Sequence, residues 1–235
     1  MSAQYAKELE VAQLAVQRAA ILTRRVFLEK AKGTVDKDDK SPVTIGDFGA
    51  QALVIAALRH SFPDDEVVGE EEADKLRTDA ALKQTIWDLV RETRLDDDDA
   101  EQKVLGGPVR DADDMLDLLD KGKSEGGNKG RIWTIDPIDG TKGFLRGGQY
   151  AVCLGLMQDG DVKVGVLGCP NLPVDDSARL TSDIGSNATD EGRGVVFSAV
   201  QGHGANSRPL TAGALAPEKS ISMRSLDDLS KATFC

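Results

Sequence analysis

Cysteine is scarce in this chain: three residues in 235, Cys153, Cys169 and Cys235, with no CxxC pair among them. That count argues against a disulfide framework or a thiolate metal knuckle, and the apolar neighbours of Cys153 and Cys169 make both read as small core residues. No apolar run approaches the ~20 residues that a membrane-spanning helix needs, so no span is expected. The opening residues, MSAQYAKELE, hold neither a basic stretch nor an apolar one. No secretory leader is therefore expected, and the cytoplasm is the expected location.

Positive charge is also in short supply, with 29 Lys and Arg against 40 Asp and Glu and a net charge of −11. Nucleic-acid polymers bind by exchanging Lys and Arg for counterions, so a polymer of that kind is a poor partner for this surface. A small phosphate ester is not excluded, because bound cations can reverse a local acidic field. The two histidines, His60 at a helix end and His203 in a Gly-His-Gly turn, read as structural. The acidic run at 96–99 lacks the Gly and distal Glu of an EF-hand loop, and the Gly-rich stretch at 121–130 lacks GxxxxGK[ST] after a strand. Both read as solvated loop. No internal repeat is visible.

What is present, 40% hydrophobic and 29% charged residues, suits a globular protein with a sizeable core. Residues 5–31 form a long amphipathic helix by the spacing of Leu9, Leu14, Ala15, Ile21, Leu22, Val26 and Phe27. A charged loop follows at 32–40, then a short extended piece at 41–45 opened by Pro42. Asp47 begins a second helix that runs to about Phe62. Residues 66–69 are a brief strand leading into Glu70-Glu71-Glu72. Residues 73–130, with a helical stretch at 80–94 and a shorter one at 111–119, read as an insertion. Strands return at 131–136, 150–158, 162–169 and 194–200, with a hairpin turn at 158–161. This order predicts an α+β layered sandwich with an antiparallel sheet between helices, and not a βαβ array. Residues 1–207 form its first domain.

Chemistry concentrates in Asp136-Pro137-Ile138-Asp139-Gly140-Thr141. A strand delivers Asp136, Pro137 denies the next ladder bond, and Asp139 brings a second carboxylate three residues on. Gly140 permits a tight backbone, and a short helix starting at Thr141 offers N–H groups to a phosphate. Two carboxylates beside an anion site need cations. Mg²⁺, which takes oxygen ligands and bridges carboxylate to phosphate, meets that need. Taken alone, Glu70 reads as a solvated acid and Asp47 as a helix N-cap.

Taken together, Asp47, Gly69-Glu70-Glu71 and the DPIDGT hexapeptide, in this order, resemble the lithium-sensitive inositol monophosphatase superfamily. The hexapeptide is specific and GEE is not. The long interval between Glu70 and Asp136, the Lys40-Ser41-Pro42-Val43-Thr44 segment, Lys142–Gly147 and Gly168-Cys169-Pro170-Asn171-Leu172 look like its bisphosphate nucleotidase branch. That resemblance implies removal of the 3'-phosphate of adenosine 3',5'-bisphosphate, and of 3'-phosphoadenylyl sulfate, by direct attack of water in a monomer. It implies one Mg²⁺ held by Glu70, Asp136 and the Ile138 carbonyl, a second by Asp136 and Asp139 with an Asp from a motif not found in this sequence, and a weaker third by Glu71. Thr141, hydrogen-bonded to Asp47, would orient the water and accept its proton through the pair, with Gly140 and Thr141 meeting the phosphate. Members of the family continue into an α/β domain with a WDxAxG motif. Trp87-Asp88 lies on the wrong side of DPIDGT to be it, so residues 208–235 are expected to be only the start of that domain and the chain alone a weak enzyme. An inositol phosphate substrate, or a non-catalytic domain, are the alternatives.

Overall fold

The computed structural model describes residues 4–31, 41–175, 192–223 and 228; the expected loop at 32–40 and Cys235 lie outside these. The elements in chain order are α1 (Ala6–Ala31), α2 (Ser41–Ser61), β1 (Glu66–Val68), α3 (Asp74–Thr78), α4 (Ala80–Glu92), a π-helical turn (Ala100–Val104), α5 (Ala112–Asp120), β2 (Arg131–Asp139), α6 (Thr141–Leu145), β3 (Ala151–Gln158), β4 (Asp161–Pro173), β5 (Arg193–Val200), β6 (Ala205–Pro209) and β7 (Lys219–Ile221). The strands form one sheet in the order β1 to β7. The expected α+β layered fold is what forms.

From β2 onward every pairing is antiparallel, as expected, but β1 runs parallel to β2. A parallel pair needs a long crossover, and residues 73–130 supply it. Asp159 and Gly160, both with positive φ, make the tight turn between β3 and β4, where Asn/Asp-Gly pairs are favoured.

α1 and α2 pack on each other and on one face of the sheet. Ala12, Leu14, Ala15, Val16, Ala19 and Ala20 of α1 are buried in one cluster with Val152, Leu154, Val164, Val166 and Val196. Alternation along the strands points Thr134, Cys153, Gly155, Gly165, Leu167 and Phe197 to the opposite face, around an open depression of about 600 Å³.

One reading from sequence needs correction. Residues 41–45 are helical, so Asp47 sits inside α2 and does not cap it; proline is tolerated in a helix's first turn, where its missing N–H has no partner to lose. Within residues 73–130, expected as an insertion, Leu76, Ile86, Leu89, Val90, Met115, Leu116 and Leu119 are buried with Leu53 and Phe48 of α2 in a second apolar cluster. The stretch at 121–130 is tied to β1, with Lys123 bridging Val68 and the Ser124 N–H donating to the Val67 carbonyl at 3.2 Å. Position 207, the expected end of the first domain, lies within β6, and β7 pairs with β6.

Candidate active site

β2 carries an irregularity that no count of residues along it would show. Asp136 pairs with Cys153 and Asp139 pairs with Ala151, so three steps on β2 match two on β3. This is a bulge of one residue, placed where Pro137 cannot donate to the ladder. In a regular strand, residues three apart face opposite ways. Here Cys153 and Ala151 share a face of β3, so the bulge puts Asp136 and Asp139 on one face as well. Asp136 Oδ1 accepts a hydrogen bond from the Ile138 N–H at 3.2 Å, and Cys153 Sγ lies 3.9 Å from Asp139 Oδ2.

Glu70 reaches the same end of the sheet by register. Val68, the last residue of β1, is level with Thr134 in the parallel pair, and two residues further along the two chain segments stand Glu70, just past the end of β1, and Asp136. Asp47 comes from above, because Gly46 lets the Ile138 side chain press directly onto α2: a Cβ at Gly46 would stand 2.7 Å from Ile138 Cδ1. Gly140, left-handed at φ 90°, then turns the chain into α6. Phe144 of α6 packs on Phe27 and Tyr150, and the Tyr150 hydroxyl donates to Thr23 Oγ1 at 3.0 Å.

The electrostatics follow from this gathering. Asp47, nearly buried, has its pKa pushed up to about 8, by burial first and then by the charges of Glu71, Glu70 and Asp136, with Lys75 opposing. Asp136 is pushed up to about 6 by burial, Glu70 and Asp139, against the Ile138 N–H. Glu71 is raised by burial and Glu70. Groups in this condition favour a proton or a cation over ionisation in isolation.

The structure therefore brings Asp47, Glu70, Glu71, Asp136 and Asp139 into one field. It does not bond Thr141 to Asp47: the Thr141 hydroxyl donates to the Ile138 carbonyl at 3.4 Å. Among the described residues, no three His, Cys, Asp or Glu side chains are arranged so that they could hold a metal ion. The donor set, carboxylates plus the Ile138 carbonyl, is all oxygen and fits a hard divalent cation. His60, whose Nε2 lies 3.3 Å from the Lys103 carbonyl, and His203 take no part. Sequence reasoning missed Lys75 and Gln51. Gln51 is one helical turn from Asp47, and its Oε1 accepts from the N–H groups of Glu70 and Glu71, both at 2.9 Å; the i, i+4 spacing was the available signal.

A carboxylate group of this kind on an α+β layered sheet defines a phosphatase class, and the chain belongs to it: residues 5–232 match the inositol monophosphatase family. That family is one of metal-dependent phosphatases, which supports a divalent metal here. The chain is 62% identical over 232 residues to the 3'(2'),5'-bisphosphate nucleotidase of Emericella nidulans, covering 98% of this chain and 66% of that one. It is 43% identical over 233 residues to the 3'(2'),5'-bisphosphate nucleotidase of Schizosaccharomyces pombe, covering 97% and 62%. It thus spans about two thirds or less of the length of these curated relatives. Mycobacterium tuberculosis SuhB shares the fold, with a TM-score of 0.50 at 20% identity over 97% of this chain and 56% of that one. No helix among the described residues is long and apolar enough to cross a membrane.

Proposed function

We propose that this chain carries the hydrolytic site of a Mg²⁺-dependent phosphomonoesterase that removes the 3'-phosphate of adenosine 3',5'-bisphosphate to leave AMP, and that also accepts 3'-phosphoadenylyl sulfate. The two fungal relatives, both 3'(2'),5'-bisphosphate nucleotidases, support the substrate. One observation carries the chemistry: the bulge at Pro137 and Ile138 sets Asp136 and Asp139 on one face, level with Glu70 and under Asp47.

Glu70, Asp136 and the Ile138 carbonyl are the residues to hold one Mg²⁺, Asp136 and Asp139 to share a second, and Glu71 to serve a weaker third. Bound there, Mg²⁺ lowers the pKa of water and offsets charge on phosphoryl oxygens. Asp47, buried on α2 in the field of Glu70, Glu71 and Asp136, would accept a proton from the attacking water once cations offset that field. Thr141 orients that water once its hydroxyl leaves the Ile138 carbonyl. Gly140 and Thr141 meet the phosphate. Positioning and electrostatics supply most of the acceleration in such a reaction.

The test is a ratio, which does not depend on absolute rate. Mg²⁺-dependent phosphate release by the purified protein is compared for adenosine 3',5'-bisphosphate and inositol 1-phosphate. Preference for the nucleotide is expected, and preference for the inositol ester overturns the substrate assignment. Release that persists in EDTA overturns the metal.

A further inference from the structure

We infer that Gln51 is the positioning residue of this site, a neutral clamp that fixes the backbone from which Glu70 and Glu71 project; the inference rests on the reading of those glutamates as cation ligands. Gln51 is fully buried on α2. Its Oε1 accepts from the N–H groups of Glu70 and Glu71, each at 2.9 Å, and its Nε2 donates to the Glu71 carbonyl at 2.7 Å. These three bonds also fix which end of the amide is oxygen.

The need for such a clamp follows from where β1 stops. The ladder ends at Val68 opposite Thr134, and the Gly69 N–H is taken by the Gly122 carbonyl at 2.8 Å. Beyond it the Glu70 and Glu71 N–H groups have lost their strand partner while the chain is still half inside the protein. A buried backbone group must find a partner. Gln51 satisfies two donors and one acceptor with one side chain.

The chemical type of that side chain matters. A carboxylate at the same place could accept from both N–H groups, but it would face the Glu71 carbonyl without a donor and would add a charge to Asp47, Glu70, Glu71 and Asp136. An apolar side chain would leave three backbone groups unmatched. The amide holds the acid-bearing turn and contributes no charge to it. Gly69 shows how closely the two parts meet: a Cβ there would stand 2.6 Å from both the carboxamide carbon and Nε2 of Gln51. Asp47 and Gln51 lie on one face of α2, one turn apart. The same helix therefore presents one acid of the site directly and holds two others through the backbone.

The inference is tested by Mg²⁺ alone, titrated calorimetrically into the purified protein and into Gln51→Met, with amide hydrogen exchange at Glu70 and Glu71 recorded on both. Gln13→Met is the control, because Gln13 is also a buried α1 amide and donates to Ser198 Oγ at 2.8 Å away from the carboxylates. Gln51→Met is expected to lose Mg²⁺ affinity by about 10- to 100-fold and to lose exchange protection at both glutamate amides. Gln13→Met is expected to lose stability and keep wild-type affinity. Should Gln51→Met fail to fold, Gly69→Ala displaces the same clamp from the other side and is expected to weaken Mg²⁺ binding likewise. Wild-type affinity in Gln51→Met, or in Gly69→Ala where that variant is used, overturns the positioning role and leaves the site's reading standing. A wild-type protein that binds no Mg²⁺ overturns both.

Discussion

Arg18 of α1 donates to Glu101 Oε1 at 2.7 Å, and both side chains are shut away from solvent. Arg18 also donates to the carbonyls of Leu53 and Gly107, and Glu101 Oε2 accepts from the Leu95 N–H at 2.9 Å. One ion pair thus ties α1, α2 and the π-helical turn together. Removing one partner of a buried pair leaves an uncompensated charge, at a cost of about 3–5 kcal/mol. Glu101→Gln and Arg18→Met should each lower unfolding free energy by that order in urea denaturation. A loss within ±0.5 kcal/mol, the range of a surface substitution, would show that residues 73–130 are not anchored this way.

That pair also explains what could and could not be read from the sequence. Asp136, Asp139, Gly140 and Thr141 were legible because six consecutive residues carry their geometry, and α1 was legible because its apolar spacing repeats over 26 residues. The crossover was not. Its pieces are short, α3 being 5 residues, and its anchors, Glu101 to Arg18 and Lys123 to Val68, join positions far apart in the chain. The parallel pairing of β1, which levels Glu70 with Asp136, is likewise a long-range fact. β6, Ala205 to Pro209, and the edge strand β7 are short and polar, with no alternation to mark them. Asp47 is legible as a candidate site residue, but its place within α2 is not, since a proline in the first turn reads equally as an extended entry.

The carboxylate repulsion has a consequence for stability. Asp47 and Asp136 have folded pKa values raised to about 8 and about 6. The metal-free folded state therefore holds more protons than the unfolded chain above the ordinary Asp range, and stability falls with rising pH. This contribution is fully present below the ordinary Asp pKa and is lost as pH rises through about 6 and then about 8. Metal-free protein should melt at a lower temperature at pH 8 than at pH 5, and Asp47→Asn should melt higher than wild type at pH 8. Added Mg²⁺ should recover the loss. A melting temperature that does not change between these pH values, measured by scanning calorimetry without metal, would show that the acids do not share a field.

The cysteines near the site should be chemically quiet. Burial and the charges of Asp139 and Asp136 push the Cys153 thiol up to about 12, and burial with Asp139 pushes Cys169 up to about 11. The thiolate is the nucleophile, so peptide-level mass spectrometry after iodoacetamide at pH 8 should find both unmodified over times that label a free thiol completely. Rapid labelling of Cys153 would mean that it does not stand beside Asp139 as described.

Asp136 is asked to serve both cation positions, so its removal tests the account most directly. The measurement is kcat/KM for Mg²⁺-dependent phosphate release from adenosine 3',5'-bisphosphate by Asp136→Asn and by wild type. The side chain is nearly isosteric, so the bulge at Pro137 and Ile138 should survive while the shared ligand is lost. The account predicts activity at or near background across the accessible Mg²⁺ range. A variant that keeps more than about a tenth of wild-type kcat/KM, a loss under ~1.4 kcal/mol of transition-state stabilisation, would contradict it.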